Sequence, residues 1–393
     1  MIEWLAKRLI RDSGNLDDPR VRRAYGALSG AVGIVLNLLL AAAKLLASRV
    51  AGSIAIAADA ANNLSDAVTS GVTLAGFKLS GKRDDDEHPF GHGRAEYVAG
   101  LVVALLILLA GLSLGRESVA QILNPQPVLF HPAAAAVLCG AVALKLYMFA
   151  YNRRIGGRIR SVAMKAAALD SLSDAAATFA VLLSMLAERF LGWHIDGWAG
   201  ALVSLLILRS GVQAAREAVG PLLGSPPSRD FVRRVEAIVR ESDHVLGIHD
   251  LRVHDYGAGR VMISLHAEVP ADGSLVELHD AVDAIERRLQ DELNCEAVIH
   301  LDPRFPEDAP TAEAHRRILE ALREDVDPRV TLHDFRVAQG KDGPELRFDV
   351  IVPRGLRQSD EALTARIAEI ARGIDGRPVV VRVDRPFSSE DLG

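Results

Sequence analysis

The sequence predicts an α-helical membrane domain of six transmembrane helices, followed by a cytoplasmic α+β part whose arrangement occurs twice. Hydrophobic residues make up 49% of the 393 residues and charged residues 24%, and the two kinds are unevenly distributed. Before about residue 220 there are repeated apolar runs of roughly 20 residues, the length that crosses the hydrocarbon layer. After it, charge is dense, and short apolar patterns indicate strands and amphipathic helices.

The six membrane helices are predicted from stretches with few or no charged residues. They cover residues 24–43, 53–77, 97–115, 131–147, 166–187 and 198–211. Basic residues precede the first helix and fill the loops after the second and fourth, whereas the other loops carry few. Because basic loops stay inside, we expect an inner (cytoplasmic) membrane protein with both termini in the cytoplasm.

The first 23 residues are basic and amphipathic, and two arrangements are open. In one, Trp4, Leu5, Leu9 and Ile10 form a face that lies on the membrane. In the other, the segment is a solvated tail. Its charge pattern is not that of a signal peptide.

Composition also narrows the partners and the compartment. The two cysteines, Cys139 and Cys295, lie in different halves, which argues against a disulfide and agrees with a reducing compartment. A net charge of -6 argues against nucleic acid as a partner.

Two short phrases within the second and fifth helices place oxygen side chains four residues apart. Asn62 precedes Asp66, and Asp170 precedes Asp174, so each pair lies on one helix face. Carboxylates are costly in hydrocarbon, which makes a cation site a better interpretation than two hydrogen-bonding polar stripes. Asp59, one turn before Asn62, either lines the exit path or carries a proton, or is hydrated near the outer interface.

The loop between the second and third helices, residues 84–93, combines three aspartates, a glutamate and two histidines. The acidic groups together with His88 and His92 suit a metal site, or the loop is an entry funnel for cations. The alternative is a solvated acidic loop.

Histidines are unusually frequent in the soluble part. The set comprises His249, His254, His266, His279, His300 and the nearby Asp302. His266 and His300 lie in predicted strands, and His279 lies on a predicted helix. Because alternate strand residues share a face, His300 and Asp302 point the same way, which favours a metal site built across elements.

Over residues 26–303 these motifs resemble the cation diffusion facilitators, a family of dimeric divalent-metal/proton antiporters. The resemblance rests on the paired helix motifs and on three further stretches: His88-Pro-Phe-Gly-His-Gly-Arg-Ala-Glu96, Gly247-Ile-His-Asp-Leu-Arg252 and His300-Leu-Asp-Pro303.

The resemblance implies three metal sites. The transport site falls on Asn62, Asp66, Asp170 and Asp174, and the loop site on Asp85, His88 and His92. The cytoplasmic site, which in the family holds the two protomers together, falls on His249, His266, His279, His300 and Asp302. The resemblance also implies a homodimer in the bilayer that exports a divalent cation by alternating access in exchange for protons, with no catalytic residue and no cofactor beyond metal ions.

Two positions depart from the zinc-transporting members, which usually carry a histidine where this chain has Asp170 and an aspartate where it has Asn62. A site made only of oxygen donors favours a harder cation. The set resembles the manganese-exporting bacterial branch, so we expect Mn²⁺, with Zn²⁺ and Fe²⁺ as alternatives.

The chain continues about ninety residues beyond the usual end of the family, and the extra piece repeats the first cytoplasmic domain. The phrase starting at His249 is echoed from His333, and the one ending at Asp302 is echoed at Asp384. By position, the other ligands are replaced by Asp349, Thr364 and Arg382. We expect a second ferredoxin-like domain without a full metal site, which widens the dimer contact or packs on the first copy.

The predicted domains are residues 1–219 (membrane), 226–303 (cytoplasmic, metal-binding) and 310–386 (second, degenerate copy). Two other functional classes are less well supported by these motifs. A cation channel would need a continuous pore, and a membrane metallohydrolase would need an open metal position beside a general base.

Overall fold

The computed structural model describes residues 2–16, 18–51, 54–124, 132–193, 195–257, 260–304, 309–340, 343–353, 356 and 358–385. The chain divides into two compact units. The first comprises residues 1–225 together with 255–260, and the second comprises residues 226–254 and 261–393.

The first unit is helical. Its elements are the short helix α1 (Ile2–Leu9) and the long helices α2 (Pro19–Ala51), α3 (Ile54–Ser80), α4 (Ala95–Leu123), α5 (Pro132–Arg158), α6 (Val162–Leu191) and α7 (Asp196–Leu223). All six long helices continue past their predicted C-terminal ends. The uncharged run marks only the stretch suited to hydrocarbon, whereas adding a residue to an existing helix forms one more hydrogen bond in polar flanks as well.

Among the described residues, five helices are long and apolar enough to cross a membrane: α2, α4, α5, α6 and α7. Helix α3 is not among them, and it carries Asn62, Asn63 and Asp66 in its middle. Helices α2 and α3 pack closely, since a Cβ atom added at Gly26 would lie 2.3 Å from the ring of Phe77.

Helix α1 is attached to the first unit. Ile2, Ala6 and Ile10 are buried, whereas Trp4 and Leu9 on the remaining surface are exposed. The solvated-tail arrangement is therefore wrong for this segment. The reason is local periodicity, because side chains four residues apart share a helix face and bury together.

The second unit contains two α+β segments. The first segment, residues 226–304, contains α8 (Arg229–Arg240), β1 (Gly247–Asp255), β2 (Val261–Pro270), α9 (Leu275–Leu293) and β3 (Cys295–Arg304). The second segment, residues 309–385, contains α10 (Ala309–Asp325), β4 (Thr331–Gly340), β5 (Gly343–Ile351), α11 (Asp360–Asp375) and β6 (Val379–Asp384). Both follow the predicted order of helix, strand, strand, helix, strand.

Each segment builds a three-stranded sheet, ordered β1-β2-β3 in the first and β4-β5-β6 in the second. In both sheets the last two strands are parallel. The register pairs His266 with His300 in the first segment and Asp349 with Arg382 in the second.

Strand β2 shows how the sheet orients its histidine. Ile263, Leu265, Ala267 and Val269 are buried in the core. Because successive strand residues point to opposite faces, His266 lies on the face away from that core. The apolar alternation thereby leaves one face of the sheet free for polar side chains.

Candidate metal centres

The membrane candidate centres on a lysine. The Lys145 ammonium on α5 lies 2.6 Å from Asp66 Oδ2 on α3 and 2.6 Å from Asp174 Oδ2 on α6. The exposed fraction is 4% for the Lys145 side chain, 15% for Asp66 and 27% for Asp174. Three helices therefore meet at one buried ion-pair cluster.

Asp170 belongs to the same cluster. It lies one turn before Asp174 on α6, and its carboxylate interacts electrostatically with Asp174, Asp66 and Lys145. Four-residue spacing places the two α6 carboxylates on one face, as the sequence predicts. Two carboxylates thus contact the ammonium group directly, and a third interacts with it electrostatically.

The two neighbouring asparagines differ in their surroundings. The side chain of Asn62, the predicted ligand, is exposed, whereas Asn63 is buried. Asn63 donates from Nδ2 to Asp66 Oδ2 at 3.2 Å and accepts from Lys44 Nζ at 2.5 Å. The side chain of Asp59 falls outside what the structure describes.

Sequence reasoning missed both lysines of this region, although a signal was present. Lys145 lies within the predicted fourth membrane helix, and Lys44 directly follows the predicted first one. An ionisable residue at membrane depth indicates function by default, and it needs a partner of opposite charge. The spacing of the carboxylates does not by itself indicate which lysines pair with them.

In the loop after α3, the predicted residues come together. The Asp85 carboxylate lies 3.5 Å from His88 Nδ1 and 3.6 Å from His92 Nε2, and the two imidazole rings are 4.5 Å apart. One donor atom from each lies within 4.8 Å of the others. The loop therefore offers one oxygen and two nitrogen donors to a cation.

The charge state of this loop is set by its neighbours. Lys82 Nζ lies 2.6 Å from Asp85 Oδ2, and the backbone amide of His88 also donates to this carboxylate. The hydrogen bond from Lys82, followed by that from His88, lowers the pKa of Asp85 to about 2. The carboxylate is thus ionised at neutral pH, and Lys82 would compete with an entering cation.

The cytoplasmic candidate is gathered by Asp302. Its Oδ2 atom lies 3.1 Å from His249 Nε2 and 2.8 Å from His266 Nδ1, and its Oδ1 atom lies 3.3 Å from His300 Nε2. Donors of His249, His266 and Asp302 all lie within 4.8 Å of one another. The prediction that His300 and Asp302 share a face of the sheet is confirmed.

The protonation of this group follows from the contacts. Burial by itself would raise the pKa of Asp302, but the imidazoles of His249 and His266 lower it well below its usual range. The hydrogen bond to Asp302 in turn raises the pKa of His266.

His249 supplies the clearest indication of a cation. Its Nε2 atom is buried and, despite lying near Asp302, is too poorly aligned to have a hydrogen-bond partner in the described part of the chain. A buried polar atom without a partner is costly. A metal ion bound by His249, His266 and Asp302 would satisfy it, so these residues fit the group.

His279 lies elsewhere. Helix α9 packs on the sheet through Leu278, Val282, Ile285 and Leu289, and the adjacent His279 is exposed. Within the described ranges it does not belong to the gathered donors. Its placement follows from the helical period, because the residue next to a buried leucine points away from the core.

The second segment contributes one histidine to this region. The ring of His333 stacks on that of His249, with centroids 5.0 Å apart. Burial, reinforced by the charge on His249, lowers the pKa of His333 to about 4. The sequence predicts His333 as an echo of His249, but it does not indicate that the two rings touch.

Two family descriptions match the chain. Residues 31–223 match "Cation efflux transmembrane domain", and residues 227–304 match "Cation efflux protein, cytoplasmic domain". Both matches end before the second α+β segment.

Curated relatives cover a similar part of the chain. An uncharacterized transporter of Methanocaldococcus jannaschii is 30% identical over 68% of this chain and 95% of its own length. The manganese efflux system protein MneS of Bacillus subtilis is 30% identical over 70% of this chain and 95% of its own. The cation-efflux pump FieF of Shewanella oneidensis is 27% identical over 70% and 93%, respectively.

Proposed function

The chain belongs to the cation efflux family of membrane metal transporters, and from that premise we propose that it exports Mn²⁺ from the cytoplasm in exchange for protons. Members of this family are transporters, not enzymes, and divalent metals are their substrates. The observation that carries the proposal is the cluster of Asp66 on α3 with Asp170 and Asp174 on α6.

The choice of Mn²⁺ rests on donor chemistry. The proposed transport site, Asn62, Asp66, Asp170 and Asp174, offers oxygen atoms only, which suit Mn²⁺ better than Zn²⁺. A relative named as a manganese efflux protein agrees with this choice. Export of Zn²⁺ or Fe²⁺ by the same site is the alternative, and the relative named as a cation-efflux pump keeps it open.

The proposed mechanism is alternating access. The cation enters from the cytoplasm past the loop of Asp85, His88 and His92 and binds the carboxylates while they face inward. A rocking movement of the helices then exposes the site to the outside. Protons compete there for the same carboxylate oxygens, release the metal and return with the carrier.

The proposed architecture has six transmembrane helices, α2 to α7, with both termini in the cytoplasm of an inner-membrane protein. Helix α3 is included because Asp66, in its middle, pairs with Lys145 of α5, next to Asp174 of α6. The proposed domains are residues 1–219, 226–303 and 310–386.

We further propose that the third domain is a degenerate duplicate of the second. His279 and Thr364 each lie four residues after the first residue of their helices, α9 and α11. The strand pair of His266 and His300 corresponds to that of Asp349 and Arg382. These equivalences support a shared origin with loss of the ligands.

The protein is proposed to act as a homodimer, because the matched cytoplasmic domain is the dimer-forming part of the family. Metal bound at His249, His266, His300 and Asp302 would tighten that dimer when cytosolic metal rises. The exposed side chain of His279 leaves it accessible to a partner subunit.

The test is metal uptake into proteoliposomes or inside-out vesicles under an imposed pH gradient, comparing Mn²⁺, Fe²⁺, Zn²⁺ and Co²⁺. We expect gradient-dependent Mn²⁺ uptake that Asp174→Ala abolishes, because this change removes a carboxylate that the cation needs. Asp283→Ala is the matched control, since this exposed aspartate on α9 forms a surface pair with Arg287.

Other outcomes separate the parts of the proposal. Zn²⁺ uptake without Mn²⁺ uptake would retain the family and contradict the donor argument. Uptake that does not respond to the pH gradient would contradict proton exchange. Full uptake by Asp174→Ala would contradict the transport site itself.

A further inference from the structure

Lys145 occupies the place that a transported cation would take. Its ammonium lies 2.6 Å from one oxygen of Asp66 and 2.6 Å from one oxygen of Asp174, and its side chain is 4% exposed. The lysine comes from α5, whereas the two carboxylates come from α3 and α6. Helix α5 thus contributes a cationic side chain to the proposed transport site, in addition to the carboxylates from α3 and α6.

The formal charges of the cluster suit a divalent ion. Asp66, Asp170 and Asp174 with the Lys145 ammonium leave a formal charge of −2 when the carboxylates are ionised. Without the lysine, three carboxylates would face one another in a membrane interior, where uncompensated charge is costly. Lys145 therefore stabilises the metal-free cluster.

The same contact blocks metal binding. A divalent cation needs the oxygens that Lys145 now engages, and two cations cannot share them because like charges repel at such short distances. The lysine side chain has a flexible stem of four carbons, so the ammonium can move away from the carboxylates without a change in the helix backbone. Metal entry therefore requires Lys145 to move away.

We propose that Lys145 is an internal counter-cation that holds the transport site in its metal-free form, yields to the entering metal, and returns to expel it. This inference rests on the proposed transport site. Lys145 lowers the affinity for metal, because binding must first break two buried ion pairs. It speeds turnover, because its return offsets the loss of the metal charge.

Lys44 provides a matched control. It is also a buried lysine of the first unit, on α2, but its ammonium bonds to the amide oxygen of Asn63. Asn63 in turn donates to Asp66, so Lys44 lies one hydrogen bond farther from the carboxylates than Lys145 does. Its removal keeps the Lys145 ion pairs in place.

The experiment is equilibrium binding of Mn²⁺ to the detergent-solubilised full chain, combined with Mn²⁺ transport in proteoliposomes. All proteins in the binding experiment carry His266→Ala, which removes a donor of the other proposed metal site. Lys145→Met is expected to lower the Mn²⁺ dissociation constant about tenfold, a typical strength for coupled binding. The same variant is expected to lower the maximal transport rate. A residue that only supports the fold would weaken binding, not strengthen it.

Further variants make the result decisive. Lys145→Arg retains the positive charge and is expected to bind Mn²⁺ no more tightly than the native protein. Lys145→Gln retains a hydrogen-bonding group without charge, and it replaces Lys145→Met if the latter does not assemble. Lys44→Met is expected to change the dissociation constant less than Lys145→Met does, because the Lys44 ammonium bonds to Asn63 whereas that of Lys145 bonds to two carboxylates.

Two failures are distinguishable. If the Asp174→Ala variant binds Mn²⁺ as tightly as the native protein, the proposed transport site on which the inference rests is wrong. If Asp174→Ala weakens binding but Lys145→Met and Lys145→Gln bind no more tightly than native protein, the site stands and the counter-cation role is wrong.

Discussion

The first and second α+β segments share an order of elements and differ in the side chains that their sheets present. In the first, His300 lies 3.3 Å from Asp302, and in the second, Arg382 lies 3.3 Å from Asp384. Even the backbone agrees, since Asp250 has a φ of 55° and Asp334 a φ of 51°, both in the left-handed region.

The difference concerns which cation neutralises the carboxylate. An imidazole can lose its proton and bind a metal together with the carboxylate, whereas a guanidinium stays protonated and offers only donors. Under the proposed function, Arg382 takes the place of a metal by pairing with Asp384. Equivalent sheet positions would then bind metal in the first segment and form an ion pair in the second.

The proposed transport site lies between these two extremes. Lys145 neutralises Asp66 and Asp174 as Arg382 does Asp384, but the lysine is a flexible point charge, not a planar fork. We infer that exchangeable charge at a cation site calls for lysine, and permanent neutralisation for arginine.

The largest effect is expected from ligand removal in the first segment. His266→Ala should weaken Zn²⁺ binding about 100-fold or more, since it removes a donor, and Asp349→Ala at the equivalent position should not. Isothermal titration of the full chain in an Asp174→Ala background removes the proposed transport site from the measurement, and the loop donors Asp85, His88 and His92 are common to all variants. Equal losses in both variants would mean that the second segment also binds metal.

A smaller effect is expected from the pH dependence of the second segment. Burial lowers the pKa of His333 to about 4, below the 6.5 of an unfolded chain, so folding favours the neutral ring. The stability that follows is present above pH 6.5 and is lost as the pH falls toward 4. Between pH 6.5 and 5 the loss should be about 1–2 kcal/mol.

Hydrogen exchange of metal-free protein measures this loss in peptides from β4 and β5. The native protein and the His333→Phe variant are compared at each pH, so the pH dependence of intrinsic amide exchange cancels. The variant should lack the extra loss of protection at acidic pH. Identical pH profiles for the two proteins would show that His333 is not held neutral by its burial against His249.

The smallest effect is expected from restoring histidines to the second segment. The double substitution Asp349→His with Arg382→His, in a background with His266→Ala and Asp174→Ala, should lower the Zn²⁺ dissociation constant about tenfold. The gain is limited because the His333 ring already bonds to Thr331. No gain would mean that the two backbones differ more than their element order indicates.

The sequence by itself determined the local features of this protein. Apolar runs predicted the long helices, strand alternation placed His300 and Asp302 on one face, and four-residue spacing placed Asp170 and Asp174 on another. These predictions succeed because each depends on the period of a single element, which neighbouring residues fix.

Only the tertiary structure decided which cations meet the carboxylates. Lys145 is 79 residues from Asp66 and 29 from Asp174, and no pattern within a helix reports a contact across such separations. The same holds for the stacking of His333 on His249. Side chains on different elements meet only where helices and sheets pack, and packing is fixed by the whole core rather than by local sequence.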